Sequence, residues 1–516
     1  MSNFIPTNLN QSLFFDLNYL EVLGDDTFEY FLYQLLETEI DLSAFYDIYK
    51  NNKVGRKAYH PALLLRVIFY AYYRGMISSR EIERACKTDL KFIALAAGTQ
   101  PHFTTLANFV STHSETMKDL FHRILLICDQ SNLIGKEHFA IDGCKIACDA
   151  SRQWSGTHKE LAKKSDKLKK TANRIIERHK DNDSDKSDGN GQHKEEKQKI
   201  ETLLMNAKKI DDFLNTNEKR IGVGKQKNEV QSNITDNESA KMKTNKGMTQ
   251  GYVCVTVADD KRQIIVNADS YGMGTEHTTL IPSIEGIKKY LGNDVLDSAV
   301  ITADTGFSSE SNMKYIFENK IDAVIPDNQY RKRDEKFIKS ETYNEKQAER
   351  NNERIDTKSK NKYKASVFKF DSELNTCVCP NNKSMRYMGD HYETTAGLNK
   401  RFVGELKDCR NCPLQQKCMH NPVKEKGRQV SFLRDDKRTV KFMDIMKEKI
   451  DSAAGRRIYS KRMWTIEPVF GNICSNKKLS KSNLRGKTKV NGQWLMYCMI
   501  HNLEKLWKYG ERELMA

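Results

Sequence analysis

The sequence has no run approaching the ~20 apolar residues that cross a bilayer, and its first thirty residues carry no basic segment followed by an apolar one, so neither a membrane span nor an export signal is expected. No HxH or HExxH arrangement occurs among the twelve histidines, and no glycine-rich phosphate loop followed by Lys-Ser/Thr is present, which argues against a zincin-type centre and a nucleotide cofactor. Without an export signal, the twelve cysteines belong in a reducing compartment, where thiols or metal ligands are favoured over disulfides. The expected location is the cytoplasm.

What the chain has in excess is positive charge. Lys and Arg number 85 against 69 Asp and Glu, a net +16, and the isoelectric point is near 9.1, so the favoured partner is a polyanion, with nucleic acid first among them. A length of 516 residues calls for two to four packed units.

Residues 1–135 read as an all-α unit, with apolar residues at helical spacing in Tyr30–Leu36 and Leu63–Tyr73. Ser78 and Glu81 form a capping-box pattern for a helix ending about Thr88, and a short helix is expected at Thr104–His113. Joined by a turn, the pair resembles a helix-turn-helix in which Thr104, Thr105 and Asn108 would face DNA.

From His138 the pattern turns to strands at 138–146, 251–259, 263–272, 298–306 and 322–327, with helices at about Thr279–Leu291 and Glu310–Asn319. That order predicts a mixed five-stranded α/β sheet over 136–155 and 247–330, completed by 456–516. Two segments interrupt it. Residues 156–246 are highly charged, with 19 Lys/Arg and 14 Asp/Glu between 156 and 230, while Leu161, Leu168 and Ile175 recur every seven residues. A charged helical hairpin around an unordered tip at Asp181–Gln192 is expected. The second interruption, 331–455, is polar and holds a cysteine cluster. The segment Trp494–Leu506 reads as an apolar helix packed on the sheet, with His501 structural.

Asp142 and Asp304 close two of the predicted strands, and carboxylates meeting in one crevice repel unless a cation neutralises them. Oxygen-only ligands favour Mg²⁺ or Mn²⁺. A third acid, Glu467, follows Met463-Trp464-Thr465-Ile466 and precedes Pro468, with Tyr459 and Arg462 upstream; its surroundings predict partial burial, Trp464 reads as a core residue, and Pro468 suggests a kink or a helix start.

Three motifs, IDGCKI (141–146), ADTGFSSESN (303–312) and YSKRMWTIEPVFGNI (459–473), together with the N-terminal GRKAYHPALLLRVIFYAYYRG (55–75), resemble the DDE transposases of bacterial insertion sequences, in the group with an InsH-type N-terminal domain and the branch numbered eleven eighty-two. The resemblance covers nearly the whole chain. It implies a ribonuclease-H-like core in which Asp142, Asp304 and Glu467 form a catalytic, metal-binding triad, with two Mg²⁺ or Mn²⁺ ions. It also implies that Tyr459 and Arg462 accompany the Glu. The family's Lys seven residues after that Glu is Cys474 here, so phosphate contact would fall to Lys477 or Lys478.

Cys379, Cys409, Cys412 and Cys418 have the spacing of a tetrahedral structural zinc site of zinc-ribbon type, with Cys377 or His420 as substitutes. Cys86, Cys128, Cys144, Cys148, Cys254, Cys474 and Cys498 read as small core residues.

The function expected is a transposase that binds the terminal inverted repeats of an insertion sequence and cleaves and joins DNA strands. Its partners would be double-stranded DNA at element ends and target, and a second copy of the chain in the DNA complex, with the bacterial nucleoid as site of action. The alternatives are a nuclease of the same fold and a catalytically silent, transposase-derived DNA-binding regulator.

Overall fold

A computed structural model describes residues 18–48, 57–182, 190–222, 228–244, 247–338, 362–363, 365–371, 374–394, 397–419, 425–433 and 442–510. The chain forms two compact units, Met1–Pro326 with Ala453–Ala516, and Asp327–Ser452.

The larger unit begins with helices. Helix α1 (Pro61–Tyr73) starts at a proline, whose missing N–H is no loss in a first turn, and His60 Nδ1 accepts from Ala62 N at 3.3 Å. Nearly the whole of α1 is buried, including Arg66, whose guanidinium is held by Glu37 at 2.7 Å and by the Leu95 carbonyl at 2.5 Å. Helix α2 (Ser79–Thr88) follows Ser78 as expected, but the Ser78 side chain makes no cap bond, so the capping box does not form. A further helix, α3 (Leu90–Leu95), is capped by Asp89 and separates α2 from α4 (Phe103–Thr112). The expected pair joined by a turn is thus a three-helix arrangement, in which Glu83 of α2 accepts from Phe103 N at 3.0 Å and fixes the start of α4. Helix α5 (Thr116–Gln130) leads into the sheet.

The sheet has six strands. They are β1 (His138–Ala147), β2 (Ala240–Thr244), β3 (Gly247–Asp259), β4 (Ile265–Tyr271), β5 (Val300–Ala303) and β6 (Asp322–Val324). Alternation and β-branched residues made five of them readable; β2 is an addition, inside a stretch expected to be helical. β1 runs antiparallel to β3 and parallel to β5, and β5 runs parallel to β6. β2 and β4 follow one another along the opposite edge of β3. Helices α8 (Leu280–Leu291) and α9 (Glu310–Glu318) connect β4 to β5 and β5 to β6.

Between β1 and β2, α6 (His158–Asn182) and α7 (Asn190–Thr216) pack along each other around Leu161, Ile210 and Phe213. Of the tip expected to lack order, Asp181, Asn182 and Asn190–Gln192 lie in these helices, and 183–189 fall outside the described residues.

Two C-terminal helices close the unit, α10 (Ala453–Phe470) and α11 (Lys487–Tyr509). Most of α11 is buried, and it ties the helical region to the sheet: Tyr497 stacks on Tyr72 of α1 at 4.6 Å, and Asn491 and Asn502 bind backbone groups of β4. Burial holds the His501 imidazole down to about 3, so it is neutral and bridges the Gln263 carbonyl and Asn472, the structural role expected of it.

The smaller unit is a five-stranded antiparallel meander, Lys369–Asp371, Thr376–Val378, Ser384–Thr394, Gly397–Gly404 and Gln429–Leu433, each strand paired with the next. It has its own core of Phe368, Cys377, Met385, Phe402 and Val430, so the polar interruption is a sheet with an apolar interior rather than a small ribbon alone.

Candidate active site

The parallel pairing of β1 with β5 ends at Ile141 opposite Ala303; Asp304 is the first residue past β5, whereas Asp142 does not close its strand as expected but stands in the middle of β1, which runs on to Ala147 beside β3. Asp142 Oδ1 accepts from Gly143 N at 2.8 Å, and Asp304 Oδ1 accepts from Gly306 N at 2.7 Å as the cap of the turn Thr305–Phe307. Each carboxylate therefore has a set orientation.

Arg462 reaches this point from α10 and binds Asp142 Oδ2 at 2.7 Å, with its guanidinium 5.8 Å from the centre of the Tyr459 ring. Burial pushes the Asp142 carboxyl up, Arg462 pulls it back, and Asp304 pushes it up again, with a net rise. Repulsion between the two aspartates, foreseen in the sequence, is thus present in the fold.

A third carboxylate was missed. Glu276, in the loop between β4 and α8, is raised to about 7 by burial and by the charges of Asp304 and Asp142. No spacing or motif pointed to it, because it enters from a connection and not from a strand end. Its carboxylate sits where two glycines leave room: a Cβ on Gly143 would meet its Oε1 at 3.1 Å, and one on Gly306 would meet its Oε2 at 2.6 Å and Asp304 Oδ1 at 2.9 Å.

The helical period puts Thr465, Ile466 and Val469 on the buried side of α10 and leaves Glu467 exposed, contrary to the partial burial expected. Trp464 is 78 % exposed and is not a core residue. Pro468 is inside α10 and lacks the N–H that would bind the Trp464 carbonyl; Gln263 Nε2 donates to that carbonyl instead, at 2.8 Å. The helix passes this proline and changes only at Gly471–Asn476, where it widens to π-helical winding.

Lys477, expected to contact phosphate, is buried and bound to Glu504 at 2.6 Å and Asn472 at 2.9 Å. Lys478 is exposed, at positive φ, with its side chain against Gly75. Cys474 is half-buried against Cys144, two residues beyond Asp142 on β1, and Cys254 and Cys498 are buried beside them. Cys86, Cys128 and Cys148 are buried as expected. On α4, Thr104 and Asn108 are exposed one turn apart and Thr105 is half-buried.

In the smaller unit, Cys379, Cys409, Cys412 and Cys418 line one cleft. Arg428 N donates to Cys409 Sγ at 3.5 Å, and Gly404 and Gly427 make room for that sulfur, since a Cβ on either would stand 2.8 or 3.0 Å from it. Cys377 is part of the sheet core, and His420 falls outside the described residues. Among the described residues no group of three or more His, Cys, Asp or Glu side chains is arranged closely enough to hold a metal ion. No described helix is long and apolar enough to cross a membrane.

Comparison with known families finds two matches, a Transposase domain over residues 18–112 and a Transposase DDE domain over residues 378–507. The second contains Glu467 and the cysteine cluster but neither aspartate. No curated protein and no solved structure matches the chain. With a transposase domain matched at each end, the two matches support a DDE transposase of an insertion sequence.

Proposed function

We propose that this chain binds the terminal inverted repeats of its element and catalyses cleavage and transfer of the DNA strands, as a dimer that pairs two element ends. The observation that carries the reading is the placement of Asp142, in the middle of β1, beside the end of the parallel strand β5, which Asp304 follows, with Arg462 bound to Asp142. The sheet order β4-β3-β1-β5-β6, with only β3 antiparallel to its neighbours, supports a ribonuclease-H-like core into which α6, α7 and the smaller unit are inserted.

DDE transposase domains use divalent metals. The donor set fits: hard carboxylate oxygens crowd one notch, and their mutual repulsion is relieved by only one arginine. Asp142 and Asp304 would hold Mg²⁺ or Mn²⁺; when bound, a pair of such ions activates a water or a 3′-hydroxyl and stabilises the departing oxygen of an in-line displacement. Arg462 and the exposed Lys478 would hold phosphate oxygens, with Tyr459 supporting Arg462. Glu467, exposed on α10, would be the third acid, the role its motif assigns to it. Thr104, Thr105 and Asn108 would read the element end. The four cysteines are not close enough together here to hold an ion, but their shared cleft and the glycine-lined space around Cys409 would suit a structural zinc ion that draws them in.

The test is cleavage of a labelled duplex carrying the element end with Mg²⁺ or Mn²⁺. Asp142→Asn should abolish nicking at the boundary and leave end binding intact; binding without nicking by the unaltered protein would favour the silent regulator, the reading to which Cys474 in place of Lys points. Metal analysis of the purified protein should find one zinc per chain, and Cys412→Ser should release it; zinc-free native protein would remove the ribbon reading.

A further inference from the structure

Resting on the active-site reading above, we infer that Glu276 is a metal-ligating carboxylate of the same site, a third oxygen donor beside Asp142 and Asp304. The two family matches do not include its position, and the motif-derived triad does not use it.

Three observations converge on it. Glu276 comes from the segment after β4, the strand on the far side of β3 from β1, yet its carboxylate is delivered across the mouth to residues adjoining both aspartates. The delivery depends on absent side chains: the Cβ positions of Gly143, next to Asp142, and Gly306, two residues after Asp304, are the space its two oxygens require. A side chain at either place would push the carboxylate out, Gly306 most severely at 2.6 Å. Finally, among the described residues the cation bonded within the notch, Arg462, is committed to Asp142, while Lys145 of β1 acts on Glu276 from a distance and gives its own hydrogen bond to the Lys243 carbonyl. Three carboxylates facing one bound arginine leave negative charge that a small hard cation neutralises without any change of fold.

Occupancy follows from these positions. Asp142 Oδ1 and Asp304 Oδ1 each have one lone pair engaged by a backbone N–H, and Asp142 Oδ2 is engaged by Arg462. As they stand, the three carboxylates are not close enough together to hold an ion; with the Glu276 oxygens across the glycine notch from the aspartates, a cation that draws them in would complete an all-oxygen set of the kind Mg²⁺ and Mn²⁺ prefer.

The experiment is Mn²⁺ binding by the full chain, followed by electron paramagnetic resonance in the absence of DNA, for the native protein, Glu276→Gln, Glu276→Asp and Asp142→Asn. Melting curves check that each variant is folded. Glu276→Gln and Asp142→Asn should each weaken Mn²⁺ binding about tenfold or more, and Glu276→Asp, which keeps the charge with a shorter reach, should fall between. If Asp142→Asn loses Mn²⁺ while Glu276→Gln binds as the native protein does, the inference is overturned and the active-site reading stands. If neither substitution changes binding, the metal-site reading itself falls.

Discussion

Two buried ion pairs lie on the C-terminal segment of this chain and look alike by distance: Arg462 to Asp142 at 2.7 Å and Lys477 to Glu504 at 2.6 Å. Their carboxylates behave in opposite ways. Burial works to raise Glu504, but Lys477, Asn472 and Lys508 all donate to it and hold it down to about 2. Burial also raises Asp142, and Arg462 does not undo this, because Asp304 adds charge of the same sign. The Lys477–Glu504 pair is closed, with its donors matched to its acceptors. The Arg462–Asp142 pair has acid to spare, and that surplus separates a site that can take up a cation from one that only holds helices together.

The largest effect should come from opening the closed pair. Glu504→Gln leaves the Lys477 ammonium buried without its counter-charge, and a loss of about 3 kcal/mol in urea unfolding is expected. Its pH dependence follows from a carboxylate held below its unfolded value of 4.5: the stabilisation is fully present above that pH and is lost as pH falls towards about 2. The native protein should therefore lose stability across that window more steeply than Glu504→Gln does.

Arg462→Ala should cost less, about 2 kcal/mol, because Asp142, already raised by burial and by Asp304, takes up a proton once its partner has gone. A loss equal to that of Glu504→Gln would mean that the Arg462–Asp142 pair is as closed as the Lys477–Glu504 pair.

The smallest effect, and of opposite sign, belongs to Glu276→Gln. With its carboxyl raised from 4.5 to about 7, the folded protein binds more protons than the unfolded chain between those values, so the native protein loses stability as pH rises through that range. The Gln variant should match it near pH 4.5 and melt slightly higher above pH 7 in metal-free buffer. A variant less stable at pH 8 would show that the charge is already compensated there.

Local pattern carried much of this structure. The strands of the sheet announce themselves by alternation, the apolar α11 by composition, and Asp142 and Asp304 by following apolar strand runs, although only Asp304 stands at a strand end. Other residues were decided by which side of an element meets the core. Lys477 and Glu467 are ten residues apart, and the lysine, just past the widened turn Gly471–Asn476, is buried while the acid is exposed, because they stand on different sides of the segment. The exposure of Trp464 and the capture of its carbonyl by Gln263 likewise depend on a loop that sequence order places two hundred residues away.

By itself the sequence determined a basic, multi-unit chain with transposase-like motifs, a strand-borne pair of aspartates and a four-cysteine pattern, because composition, period and spacing are local properties. Only the tertiary structure decided that Glu276 joins the aspartates, that Lys477 is spent on Glu504, and that Glu467 faces outward. Each of these depends on what lies across from a side chain once strands and helices have packed, and a linear chain carries no direct record of its neighbours in space.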